Sequence, residues 1–192
     1  MRWRRVPDAA ERAVYLVTGP SAAGKTTVAR LLAERFEHGV SLEGDLFRRA
    51  IVTGRREMTP EASPEALAQL RLRYRLTAAA ADAYFAAGFT VVAEDVVAGE
   101  LLAEYGELIR ARPLHVVVLM PSPAAIASRE AAREVTAYAR FSIDELYRLF
   151  AEETPRLGLW IDSSRQTPAQ TVDEILARAA ADTGRSVAGR GA

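Results

Sequence analysis

The sequence predicts an α/β fold, one parallel β-sheet with helices on both faces. Five short apolar, β-rich segments alternate with helical stretches over 192 residues, a length that suits one domain. None of the five shows clean period-two alternation, which fits strands covered on both faces. No internal repeat interrupts the alternation.

The elements follow in order. Strands are expected at 14–18, 40–43, 90–95, 114–120 and 157–161. Helices are expected at 25–36, 45–53, 64–87, 99–111, 123–134, 142–153 and 168–181. Ser63-Pro64, Ser122-Pro123, Ser142 and Thr167-Pro168 give entry signals, a capping hydroxyl or a first-turn proline. Gly88 closes the third helix. Within that helix Leu67, Leu70, Tyr74, Ala78, Ala81 and Phe85 recur at helical spacing and read as core. Arg71, Arg73 and Arg75 lie off this stripe and read as a solvated face, with one of them able to reach a pocket. Residues 54–63 form a polar, proline-containing loop that is a candidate cover for a substrate. The expected domain covers 13–182, between an N-terminal flank, 1–12, and a loose tail, 183–192.

Composition narrows the function. Formal net charge is zero, which gives no reason to expect a nucleic-acid or acidic-membrane partner. There is no cysteine, so disulfides and thiolate chemistry are excluded. The N-terminus lacks the apolar stretch of a signal peptide, and no apolar run approaches the ~20 residues of a membrane span. A cytoplasmic chain is expected, as monomer or homodimer. Lys25 is the single lysine among 25 basic residues. An ordinary surface charge can drift to arginine, whereas a compact ammonium that fits between phosphates cannot.

That lysine sits in "GPSAAGKTT", Gly19–Thr27, between the first strand and the first helix. Gly19-x-x-x-x-Gly24-Lys25-Thr26 has Walker A spacing in the required context. The amides of Gly19, Ser21, Ala22, Ala23, Gly24, Lys25, Thr26 and Thr27 are expected to turn toward nucleotide phosphates at a helix N-terminus. Lys25 would bridge the outer phosphates and Thr26 would face Mg²⁺. The Asn-Lys-x-Asp motif of Ras-type GTPases needs a second lysine, and no transporter Leu-Ser-Gly-Gly-Gln motif is present. Ring and mechanical ATPases are usually larger. The small phosphoryl-transfer class remains, with ATP and Mg²⁺ as expected cofactors.

Functional groups in such a sheet gather at strand carboxyl ends. "EGDLFRR" puts Asp45 there, as general base, holder of a Mg²⁺-bound water, or simply a helix cap. Arg48 is the candidate substrate contact beside it. "TVVAED" resembles a Walker B strand, with Asp95 favoured over Glu94 toward Mg²⁺ and near the substrate. Arg129 and Arg133 are four apart and share a helical face, as a phosphate-clamping lid or a solvated surface; Arg140 is a further candidate. Ser164, Arg165 and Gln166, after the last strand, would lie beside the phosphate loop and contact the nucleobase. Neither His38 nor His115 has metal-ligand spacing.

"LVTGPSAAGKTTVARLL", "EGDLFRR", "VVAEDVVAGE" and "REAARE" in this order resemble chloramphenicol phosphotransferase-like proteins, small P-loop kinases related to gluconate, shikimate and adenylylsulfate kinases. The likeness spans roughly residues 13–180. It implies a P-loop NTPase three-layer α/β/α sandwich with strand order 2-3-1-4-5 and a short lid. It also implies Mg-ATP as donor and an acceptor hydroxyl deprotonated at Asp45. The acceptor region, roughly 47–84, carries no matching signature, and fold does not supply acceptor specificity. A small-molecule acceptor is expected. A nucleotide-sensing module, a nucleoside monophosphate kinase and a kinase for a large acceptor are the alternatives.

Overall fold

The computed structural model describes residues 12–132 and 141–181. Five strands form one parallel sheet: β1 Val14–Thr18, β2 Gly39–Glu43, β3 Thr90–Glu94, β4 Leu114–Leu119 and β5 Leu159–Ile161. Their order is β2-β3-β1-β4-β5, the order implied by the resemblance. Among the described residues seven helices accompany the sheet: α1 Lys25–Ala33, α2 Asp45–Arg49, α3 Pro64–Ala86, α4 Leu101–Leu108, α5 Pro123–Ala131, α6 Ile143–Arg148 and α7 Pro168–Ala181. A π-helical turn, Leu149–Glu153, extends α6.

Successive side chains of a strand point to opposite faces. In β1, Val14 and Leu16 enter a core built with α3, α4 and α6. Tyr15 and Val17 enter the opposite core, against α1 and α7. All five β1 residues are buried, which explains the unbroken apolar run and the three-layer build.

The entry signals act as read. Ser63, Ser122 and Ser142 accept backbone N–H bonds from Ala66, Ala125 and Glu145. Glu145 reaches back to the Ser142 N–H, completing a capping box. Several elements end earlier than expected. α1 stops at Ala33, where a Cβ on Gly39 would lie 1.9 Å from the Ala33 carbonyl oxygen, so β2 begins tight against the helix end. α2 stops at Arg49 and α4 spans only Leu101–Leu108. β5 starts at Leu159, after Gly158 turns the chain at φ 68°. Among the described residues, no helix is long and apolar enough to cross a membrane.

Candidate active site

The carboxyl ends of β1, β2 and β3 converge on one cleft of about 660 Å³. At its floor the chain leaves β1 through Gly19, at φ 146°, a conformation open to glycine but poor for other residues. A Cβ there would meet the Leu119 carbonyl oxygen at 2.2 Å. Ala22 is left-handed at φ 57° and Gly24 at φ 94°, so the loop curls around an open centre. A Cβ on Gly24 would meet nothing nearer than Arg129 Nη1, at 4.0 Å. Lys25 is buried, at 8% exposed, and its Nζ donates to the Pro20 carbonyl at 3.0 Å. A buried ammonium at the start of a helix, in a loop that lines the cleft, suits a polyphosphate. Ser21, Ala22, Gly24, Lys25, Thr26 and Thr27 all face the cleft. Ala23 faces a neighbouring hollow.

The acid pair at the end of β3 splits. Glu94 accepts a 3.0 Å bond from the Thr26 hydroxyl. Burial pushes its carboxyl up, against the lowering effect of Lys25 and Thr26. Asp95 turns to the other side, accepting from the Val96 N–H at 2.7 Å and pairing with Arg73 Nη2 at 2.8 Å. Thus Thr26 meets Glu94 rather than Asp95, because consecutive residues at a strand end face opposite ways. Thr26 and Glu94 are hard oxygen donors beside the phosphate loop, too few to enclose a cation. That fits Mg²⁺, which keeps most of its waters.

Asp45 opens α2 and faces the same cleft. Arg48 Nε donates to its Oδ1 at 2.5 Å, and Arg48 Nη1 reaches both oxygens of Glu57 at 2.7 and 2.8 Å. Arg73 Nη1 lies 4.0 Å from Asp45 Oδ1. Burial raises the Asp45 carboxyl, but the Arg48 hydrogen bond and the charges of Arg48, Arg73 and Arg49 outweigh it and hold the group below its ordinary value.

Arg129 donates to the Ala23 carbonyl at 3.0 Å and the Ser163 carbonyl at 2.6 Å. It ties α5 to both the phosphate loop and the turn after β5. A second hollow of about 310 Å³ lies there, walled by Ala22, Arg129, Ser163 and Gln166 among others. Gln166 thus sits beside the phosphate loop. Arg165 is exposed and is absent from that wall. Ser164 is engaged with the Ser122 N–H and with Asp162. Arg133 and Arg140 lie outside the described residues.

Sequence reasoning left one side chain of this cluster unassigned and missed another. The sequence puts Arg73 on a solvated face with Arg71 and Arg75, one of the three able to reach a pocket; in the fold its side chain is 12% exposed and joins Asp95 to Asp45. Its position one residue before the core residue Tyr74 was the available signal. Glu57 sits in the 54–63 loop and carries no pattern, and only the fold brings it to Arg48. The cleft continues past these charges into an apolar end that includes Phe47, Met58, Leu70, Phe141 and Leu149.

A family model described as AAA domain matches residues 14–154. No curated protein matches the chain. Among solved structures, an unliganded sugar kinase from Janibacter sp. HTCC2649 is 26% identical, with TM-score 0.63, covering 86% of this chain and 92% of its own. The tunicamycin resistance protein of Deinococcus radiodurans is 18% identical, with TM-score 0.63, covering 88% and 96%. The Mycobacterium tuberculosis APS kinase, solved with AMPPNP and APS, is 18% identical, with TM-score 0.61, covering 86% and 96%. With its Walker A loop and 2-3-1-4-5 sheet, this chain belongs to the AAA domain family and has the build of the small P-loop kinases.

Proposed function

We propose that the protein is an ATP-dependent kinase of a small-molecule alcohol. The observation that carries this reading is the single cleft that runs from Lys25 and Thr26, past Asp45, to an apolar end large enough for an acceptor. Bound Mg-ATP would supply the transferable phosphoryl group and part of the charge that stabilises its transfer. The chain's own residues do the rest. The loop amides and Lys25 fix the phosphates, and Thr26 with Glu94 orders the water shell of Mg²⁺. Asp45 stays ionised beside its arginines and takes up the acceptor's hydroxyl proton. Arg129, already bonded to the Ala23 carbonyl, keeps the loop in register with the nucleobase hollow, where Gln166 lies; Arg133 would join it as the site closes. Positioning and fixed charge account for the rate, with no covalent intermediate. The enzyme would work in the cytoplasm, as monomer or homodimer, without nucleic-acid or membrane partners.

The test is ADP release from Mg-ATP against a panel of amphenicols, aminocyclitols, sugars, sugar acids, nucleosides and nucleoside monophosphates. One acceptor class should raise release well above the water background, and Asp45→Ala should remove the gain. Tight nucleotide binding with no acceptor response, unchanged in Asp45→Ala, would instead mark a nucleotide-sensing module.

A further inference from the structure

The acceptor end of the cleft is crowded with ion-paired side chains. Arg73 is buried against Asp95, at 2.8 Å. Arg48 is bound to Asp45 and to both oxygens of Glu57. Arg55 also pairs with Glu57, at 3.0 Å, and Arg49 lies 3.7 Å from Asp45, so four guanidinium groups share these three carboxylates. Arg56 adds a charge at the rim from the exposed 54–63 loop, where water screens it. The Asp95 carboxylate is fixed in place. Its Oδ1 holds Arg73 and the Val96 N–H, and its Oδ2 packs so close to Gly44 that a Cβ there would lie 2.1 Å away. Beyond the charges the wall is apolar, with Phe47, Met58, Leu70 and Leu149.

We propose that Asp95 sets the charge selectivity of the acceptor end: by holding Arg73 in a buried pair, it restricts the acceptor to an uncharged alcohol and turns away carboxylate- and phosphate-bearing ones. The inference rests on the kinase reading above. An anionic acceptor would have to shed its water beside Asp45, Glu57 and Asp95, where, among the described residues, Arg48 and Arg73 already have carboxylate partners and Arg73 keeps only its buried Nε without a hydrogen bond. An uncharged hydroxyl compound loses little on desolvation, donates to Asp45, and lays its remaining surface on the apolar wall. Phe47, Met58, Leu70 and Leu149 offer no hydrogen-bonding side chain, and Gln69 of the same cleft is already bonded to the Arg56 N–H and the Gly54 carbonyl, so a charged substituent against these residues would go unsatisfied.

Two measurements test this. The first compares acceptors in pairs of which one member is anionic and the other uncharged: shikimate with its methyl ester, glucuronate with methyl glucoside, a nucleoside monophosphate with its nucleoside. The uncharged member should show the higher kcat/KM, by about tenfold or more. Asp95→Asn should narrow or reverse that ratio by freeing Arg73. The second needs no turnover. With the phosphate loop filled by Mg-AMPPNP, sulfate binding is followed by calorimetry. Wild type should bind none, Asp95→Asn should gain a sulfate site, and Asp95→Asn combined with Arg73→Gln should lose it again. Sulfate binding that is equal in all three proteins, or a wild-type preference for the anionic members, overturns the inference and leaves the kinase reading intact. Failure of Mg-AMPPNP to bind, or failure of every acceptor to raise ADP release, counts against the kinase reading. In the latter case the sulfate arm still decides the role of Asp95. If Asp95→Asn does not fold, the wild-type acceptor ratio decides it: an anionic member used as well as its uncharged partner overturns the inference.

Discussion

Asp45 shows how three arginines tune one carboxylate. Burial alone would raise it, yet the Arg48 hydrogen bond and the nearby guanidinium charges hold it low. A carboxyl depressed in the fold adds stability above its unfolded pKa and loses it as pH falls through the folded value. That contribution is therefore complete above about pH 4 and fades only below it. Activity should follow the same sign, with no acid limb from Asp45 until the pH drops below about 4. Arg48→Ala should move that limb upward in a pH profile of kcat/KM, and an unmoved limb would remove Asp45 from the role of base. Asp95 behaves oppositely, since burial lifts it to about 6 despite Arg73 and the Val96 N–H. Its fixed position depends on Gly44, whose φ of −59° suits any residue but whose missing Cβ leaves room for the carboxylate. Gly44→Ala should cost about 1–3 kcal/mol in urea unfolding and weaken acceptor binding, because the Arg73–Asp95 pair must shift. The phosphate loop's geometry was legible at this scale because it depends on a fixed local spacing. The partnerships of Arg73 with Asp95, and of Arg48 with Glu57, were not. They join a helix to a strand end, and a helix to a loop, at distances along the chain that no local pattern encodes.

At the scale of elements, strand positions were legible because burial on both faces leaves unbroken apolar runs, as in β1 and β3. Helix starts were legible from their serines and prolines. Helix ends were not, since tight turns such as the one where Gly39 meets the Ala33 carbonyl depend on the neighbouring strand. The segment expected as one helix over 142–153 instead passes from α6 into a π-helical turn. Thr154 secures that turn, donating its hydroxyl to the Leu149 carbonyl at 2.9 Å and accepting from the Gly99 N–H at 2.8 Å. Leu146 and Leu149 line the acceptor end from this element. α6 is only six residues long, so its cap matters more than in a long helix. Ser142→Ala should destabilise the protein by about 1 kcal/mol. It should also raise KM for the acceptor while leaving ATP binding unchanged. An equal effect on both substrates in steady-state kinetics would mean that α6 serves the whole site and not its acceptor end.

Across the whole molecule, the phosphate loop is the point where separate layers meet. Lys25 begins α1, Thr26 bonds Glu94 at the end of β3, and the Ala23 carbonyl accepts from Arg129 of α5. Arg129 in turn holds the Ser163 carbonyl in the turn after β5. A nucleotide seated in this loop would touch groups drawn from most of the sheet, and a ligand that binds only the folded state stabilises it by mass action. At about a hundredfold excess over Kd the gain is about 2.7 kcal/mol. For a chain of this size that corresponds to a rise in Tm of about 5–10 °C. On the kinase reading proposed above, the shift should require Mg²⁺ for its full size, with Thr26 and Glu94 holding the ion's waters. Lys25→Ala should abolish most of the shift while the far-ultraviolet circular dichroism stays that of the wild type. A full Mg-ATP shift in Lys25→Ala, read by differential scanning calorimetry, would mean that the nucleotide is seated somewhere other than the loop from Gly19 to Thr27.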